Sequence, residues 1–336
     1  ALNYVRAAEV LQHDGRVQGL LLRDLRSGAT RQIAADLVIN AAGAWSGSLP
    51  GAPAGAPALR PLRGSHLVFP LDKLPLRQAV SWLHVRDRRP VFAYPWEGAA
   101  LVGTTDLDHG EDPARPTMSA DEARYLMEAL AHQFPQAGLS LADAVSCYSG
   151  VRPIVASGKA DADPSSESRE SANWSSPGWI GITGGKLTTF RVTAREVLRL
   201  AAKQVPKLAP RPDHGGDAVA GGRVVARYGA ACAVWLLESS WAHDRQDIPG
   251  TPYAWGELRW AARQEQVMHL DDLLLPHGAA ALLEDVRDIC RQELGWDDAR
   301  WAQERSRYLE LWRLNHQVPA DQVPPGQAPA GQVPPA

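Results

Sequence analysis

The chain has 336 residues, 45% hydrophobic and 22% charged, which is enough apolar material for one large core or two ordinary ones and too much for a disordered polypeptide. Its 35 Lys and Arg against 38 Asp and Glu leave a formal charge of -3, which removes the bulk electrostatic case for a nucleic-acid binder. Cys147, Cys232 and Cys290 form no CxxC pair and no disulfide framework, so a reducing compartment is expected and a metal site is not. No apolar run approaches the roughly 20 residues that span a bilayer, and no signal-peptide pattern opens the chain. The expectation is a cytoplasmic protein, soluble or peripheral on the cytoplasmic face of the membrane.

The chain opens without Met, directly in a strand-like run, and is read as part of a longer one. A meander follows: runs at residues 2–11, 17–22 and 30–33, with turn dipeptides Asp14-Gly15 and Ser27-Gly28 between them. Residues 37–39 are a short buried strand ending in Asn40-Ala41-Ala42-Gly43-Ala44-Trp45, and residues 50–61 are a Gly/Pro/Ala loop. Strands are predicted at 65–70, 91–95 and 99–103, the last two joined at Glu97-Gly98. Residues 119–134 make a helix, because Ser119 and Glu122 form a capping box, Ala123, Leu126, Met127 and Leu130 share a face, and Pro135 stops it. The polar stretch 157–176 reads as a loop or mobile lid between strands at 147–151 and 179–183, and a helix starts near Thr193. Beyond the Pro-rich break at 206–212, helices are predicted at 224–238, 255–270, 279–294 and 297–314, with Trp301, Arg305, Tyr308 and Trp312 on one face of the last. Seven of the twelve tryptophans lie in this part and are read as its core. The tail from Gln317, rich in Pro and Gln, is expected to be disordered.

Four local patterns have chemical potential, each with a plain alternative. Gly184-Gly185-Lys186-Leu187-Thr188-Thr189 follows a strand and precedes a helix, which suits close approach of a flat or anionic ligand but is also a common turn-and-cap arrangement. Arg152, at the end of an apolar strand, has the planar fork to clamp a phosphate or carboxylate, or is a surface ion pair. His66, at a strand start after Gly64-Ser65, is a general base or a hydrogen-bonded structural histidine. Thr104 and Asp106 close a strand and either orient a polyol or form a turn. No Walker loop, HExxH, GxSxG or GxGxxG occurs in the sequence.

Taken in order, NAAGAW (residues 40–45), RGSHLVFP (63–70), YPW followed by VGTTD (94–106), YSGVRP (148–153) and GGKLTTFR (184–191) resemble the FAD-dependent glycerol-3-phosphate dehydrogenases over roughly residues 1–316. The resemblance implies a D-amino-acid-oxidase-type flavoprotein of α+β class: an α/β FAD-domain remnant (1–45 and 178–205) interleaved with an antiparallel-sheet substrate domain (46–177), then a C-terminal all-helical domain (206–316) and the tail (317–336). The implied reaction is oxidation of sn-glycerol 3-phosphate to dihydroxyacetone phosphate by hydride transfer to FAD, with electrons passed to a quinone. Alternatives are a same-fold oxidase using oxygen and a truncated, inactive binding module.

By the same resemblance, Arg152 and Lys186 clamp the phosphate, with Arg169 as a weaker addition, and Lys186 also steadies negative charge on the reduced flavin. His66 is the base, and Thr104 and Asp106 orient hydroxyls or the flavin edge. Ala42, Gly43, Trp45, Gly184, Gly185, Leu187, Thr188 and Thr189 adjoin the FAD. Two departures stand out. The strand–GxGxxG–helix unit that binds the FAD pyrophosphate is not in this sequence, so the polypeptide as given is expected to hold FAD poorly or not at all and to be inactive by itself. The Arg-Arg-Thr stretch of the family's helical domain is missing where Asp272 runs through Leu273, Leu274 and Leu275 to Pro276. A weaker inference places Arg223, Arg227, Arg259 and Arg263 on helices facing anionic lipid, against the alternative of an ordinary solvated face.

Overall fold

Asp14 and Gly15 both have positive φ, 48° and 73°, as a two-residue type I′ hairpin turn requires. They join β1 (Val5–His13) to β2 (Arg16–Asp24), and β3 (Thr30–Ala34) completes an antiparallel three-stranded meander. The structure is a computed structural model that describes residues 2–158, 167–210, 222–274 and 282–320. Its contacts divide the chain into two units: one within Ala1–Gly64, Asp106–Ala114 and Gly150–Asp213, the other within Ser65–Thr105, Arg115–Ser149 and His214–Ala336.

In the first unit, β4 (Val38–Asn40) runs parallel to β12 (Trp179–Gly184), and β11 (Ser171–Ser176) pairs antiparallel on the other side of β12. β11 lies inside the stretch read as a loop or lid. Its polar composition carries no strand signal, and pairing is supported by Trp174, whose indole lies over Gly181 directly across the ladder. The rest of that stretch, 159–166, is outside the described residues. The helix expected near Thr193 starts earlier: α2 spans Phe190–Gln204 behind a 3-10 turn at Leu187–Thr189. Its first turn buries nothing, so the apolar period is visible only from Val197, which packs with Ala201 on Ile180 of β12.

In the second unit, α1 (Ala120–Gln133) has the expected capping box at Ser119 and Glu122 and presses Ala123, Leu126 and Leu130 onto a sheet. β5 (Leu59–Pro70) and β10 (Ser146–Val155) are longer than the runs that marked them, and each passes from one unit to the other. β7 (Pro90–Trp96) and β8 (Ala99–Gly103) form the expected hairpin, and β6 (Val80–Leu83), which has no clear alternation, pairs with β7. Ala100 and Val102 of β8 face α1, whereas Ala99 and Leu101 pack with Val68 and Tyr148 on the other face. β9 (Leu107–Asp108) pairs with Leu62 and Arg63 of β5 within the first unit.

The helical part is more broken than its periodicity predicts. The first helix splits into α3 (Arg223–Tyr228) and α4 (Ala230–Glu238) at Gly229, whose φ of 83° no helix continues through. The second splits into α5 (Trp255–Gln264) and α6 (Leu270–Leu273); α7 (Leu283–Leu294) and α8 (Asp298–His316) follow. Trp255 and Trp301 are core residues, whereas Trp241 is half-exposed. On α8 the buried face carries Trp301, Glu304 and Tyr308, so Glu304 takes the place expected of Arg305. Leu275 and Pro276, where the Arg-Arg-Thr stretch is missing, lie outside the described residues, as does most of the tail. Where the tail begins, Gln317 O accepts from Cys147 Sγ at 3.3 Å and Val318 packs on the sheet core. The three cysteines are free and buried, and burial pushes Cys147 and Cys290 up to about 12 and Cys232 to about 11. Among the described residues no helix is long and apolar enough to cross a membrane.

The lipid-facing expectation needs correction for Arg227 and Arg259. Arg227 is ion-paired with Glu97 and, at 2.9 Å, with Glu257, while Arg259 is buried between Asp244 (3.1 Å) and Glu293 (2.6 Å). These two cations are committed inside the unit, because a guanidinium taken out of water must be paired. Arg263 also bonds Glu293. Burial raises the Glu293 carboxyl, but hydrogen bonds from Arg263 and Arg259 outweigh it, and the net shift is below the ordinary 4.5. Stability from this cluster is therefore complete above the ordinary glutamate range and is lost as pH falls through the lowered value. Glu293→Gln should be less stable than wild type near neutral pH, with the difference shrinking on acidification; urea midpoints measured across pH check this.

Candidate active site

Asp106 follows β8 and has a fully buried carboxylate. Its Oδ1 accepts from Arg152 Nη1 at 3.2 Å and its Oδ2 from Arg169 Nη2 at 2.8 Å. One carboxylate thus holds two guanidinium groups, both still partly exposed, and the trio carries a net charge of one positive unit from two cations and one anion. Gly64 makes the approach possible, since a β-carbon there would collide with the Arg152 guanidinium. Lys186 lies in the same unit and its Nζ bonds Glu170 Oε1 at 2.9 Å, next in sequence to Arg169. Gly184 connects these strands: a β-carbon on it would stand 2.8 Å from the Glu170 carbonyl oxygen and 3.5 Å from that of Pro153. Arg152, Arg169, Asp106 and Lys186 are therefore set on adjoining segments of one unit. A net positive cluster with forked donors suits a small anion.

The ends of β4 and β12 carry two glycine turns. Gly43, Gly184 and Gly185 have φ of 57°, 71° and 88°, and Thr183 Oγ1 donates to Gly43 O at 3.2 Å, tying one turn to the other. Ala42 and Trp45 flank the first turn and Leu187, Thr188 and Thr189 follow the second. Trp45 is 47% exposed, Leu187 87% and Phe190 66%, unusual values for such side chains.

In the second unit, His66 pairs with Gly103 across β5 and β8, and its imidazole stacks on the Tyr148 ring, with centroids 4.6 Å apart and planes 4° apart. Gly103 has to be glycine, because a β-carbon would strike that imidazole. Burial, with Tyr94 beside it, pushes the Tyr148 hydroxyl up, so the group stacked on His66 is neutral at physiological pH. Thr104 follows and donates from Oγ1 to Thr105 O at 3.0 Å. Tyr148 lies within the YSGVRP motif, where neither residue type nor spacing gives it a role; the one signal is its position four residues before Arg152. The unit boundary falls inside three motifs, at Gly64/Ser65, Thr105/Asp106 and Ser149/Gly150, so His66, Thr104 and Tyr148 belong to one unit and Arg152, Asp106, Arg169 and Lys186 to the other.

Residues 2–191, more than half of the chain, match the family model for FAD dependent oxidoreductases. The chain belongs to this family. Among curated proteins, the chain is 36% identical over 209 residues to aerobic glycerol-3-phosphate dehydrogenase of Staphylococcus haemolyticus, and 34% over 203 residues to that of Bacillus subtilis. These alignments cover 61% and 59% of the chain but only 37% and 36% of the relatives, so the chain matches little more than a third of their length. A crystal structure of glycerol-3-phosphate dehydrogenase from Bacillus halodurans complexed with FAD superposes with a TM-score of 0.74 at 24% identity, covering 94% of this chain and 69% of that one. It supports the α+β fold with its C-terminal helices.

The family implies FAD, and the two glycine turns of the chain fit part of that group. They lie at the carboxyl end of adjacent parallel strands, where open α/β sheets bind ligands. Positive-φ glycines bring backbone close to a flat ring, and the exposed Trp45 and Leu187 offer apolar surface beside polar Thr188 and Thr189.

Proposed function

We propose that the protein acts in the flavin-dependent oxidation of sn-glycerol 3-phosphate to dihydroxyacetone phosphate. The observation that carries this reading is the buried Asp106 holding Arg152 and Arg169, a net positive pair of forks suited to a phosphate. The names of the similar proteins support it. Arg152 and Arg169 bind the phosphate, and Lys186 joins them by exchanging its exposed Glu170 partner for the substrate anion. His66 takes the proton of the secondary hydroxyl, Thr104 orients that hydroxyl, and Asp106 acts through the two arginines. Ala42, Gly43, Trp45, Gly184, Gly185, Leu187, Thr188 and Thr189 would hold FAD, which supplies the acceptor for the hydride lost from the same carbon. On this reading residues 1–45 and 178–205 are FAD-domain segments, 46–177 the substrate domain and 206–316 a helical domain. A quinone is the proposed onward acceptor.

The full protein should show flavin bands at about 370 and 450 nm, and an absent flavin spectrum would reject the reading. Arg152→Ala is expected to raise KM for glycerol 3-phosphate about thirtyfold, the lower end of the scale for truncating one partner of a desolvated charge pair, with far less effect on glycerol. Equal effects on both would remove the phosphate clamp. Peroxide formed in stoichiometric yield without added quinone would assign oxygen as the acceptor instead.

A further inference from the structure

The capping box of α1 is expected to concern only the helix, yet Glu122 is 2% exposed. One carboxylate oxygen, Oε2, performs the cap, accepting from Ser119 N at 2.9 Å and Ser119 Oγ at 3.0 Å. The other faces the sheet: Oε1 accepts from Ser65 Oγ at 2.8 Å and from Thr105 Oγ1 at 2.7 Å. The network continues, with Ser65 N donating to Thr105 Oγ1 at 2.9 Å and the Ser65 and Ser149 hydroxyls 2.7 Å apart. Because Ser65 gives its one hydroxyl proton to Glu122, Ser149 is the donor in the last bond. The protons therefore run from Ser149 to Ser65 to Glu122, and from Thr105 to Glu122.

Each of the three anchored residues is bonded in sequence to one that the proposed function uses. Ser65 precedes His66, Thr105 follows Thr104, and Ser149 follows Tyr148, whose ring is the stacking partner of His66. A buried carboxylate is costly unless several donors satisfy it. Here Ser65 and Thr105 donate to the carboxylate from two separate segments and Ser149, on a third, is tied to it through Ser65, so the cost is offset fully only when those segments are in register. We infer that Glu122 is a positioning residue that sets the spacing of His66, Tyr148 and Thr104 through Ser65, Ser149 and Thr105. This rests on the reading of His66 as the base only where turnover is measured; the placement of the rings is independent of it. An amide substitutes poorly. Its NH2 group would meet either the fixed Ser119 N–H, donor against donor, or the two hydroxyls, which would have to turn their protons away and break the present order of bonds.

The test uses the full, flavin-loaded protein with Glu122→Gln and Thr105→Val, and Ser119→Ala as a control that weakens the cap alone. Two readouts are taken. The imidazole C–H proton resonance of His66, assigned with a His66→Gln variant, is shielded by the stacked Tyr148 ring. It should move downfield in Glu122→Gln and Thr105→Val and stay in place in Ser119→Ala, although all three lower Tm. Turnover of glycerol 3-phosphate should fall about tenfold or more in the first two, the scale of a small misplacement of reacting groups, with KM and flavin content little changed. A His66 resonance that stays in place in the first two variants, or moves equally in Ser119→Ala, would overturn the inference. Wild type that fails to oxidise glycerol 3-phosphate would remove the proposed function and leave the resonance test to decide the role of Glu122.

Discussion

His66→Ala is expected to lower kcat for glycerol 3-phosphate by about 10²- to 10⁴-fold, the range for loss of a positioned general base, with flavin content and KM close to wild type. The imidazole is half-buried, stacked 4.6 Å from a neutral Tyr148, and lies so close to Gly103 that a β-carbon there would strike it. Such a ring is held in one plane before substrate arrives, so removing it takes away proton transfer and not binding. Gly103→Ala tests the same point while leaving the imidazole's chemistry intact. The added β-carbon must displace the ring, and kcat should fall in the same direction by a smaller factor. A near-normal turnover number in His66→Ala would remove His66 as the base, and stopped-flow flavin reduction measures the step directly.

How much of this was legible depended on how local the signal was. Asp14-Gly15, the Ser119–Glu122 box and the Gly184-Gly185 turn are each written within a few residues, and each forms as expected because a single turn or cap determines it. β11 and the break at Gly229 were missed for the opposite reason. SANWSS is a strand because Trp174 finds Gly181 across the ladder, and Gly229 interrupts a run whose hydrophobic period continues on both sides. The candidate site shows the same division. His66, Arg152 and Asp106 were marked by residue type and motif. That Asp106 is shared by Arg152 and Arg169, 46 and 63 residues further along, follows only from the fold. Glu122 was visible only as a cap, because a carboxylate has two oxygens and sequence spacing reveals the partner of one.

The shared carboxylate also determines which kinetic constant should respond to its loss. Asp106→Ala removes the only negative charge of the trio, so the cluster passes from one net positive unit to two and its attraction for a phosphate does not weaken. What is lost is the anchor: Arg152 and Arg169, formerly fixed at 3.2 and 2.8 Å on opposite oxygens, repel each other and sample many rotamers. KM for glycerol 3-phosphate is therefore expected to stay level or fall, while kcat drops about 100-fold because the reacting carbon is no longer presented in one geometry. Stability should decline by at most about 3 kcal/mol, since both arginines remain partly solvated once unpaired. Asp106→Asn keeps the shape and one acceptor oxygen and should fall between the two. A raised KM with unchanged kcat would mean that the arginines hold the phosphate only when the carboxylate aligns them and that the alignment has no part in the chemical step; steady-state kinetics on the three proteins at one ionic strength decides it.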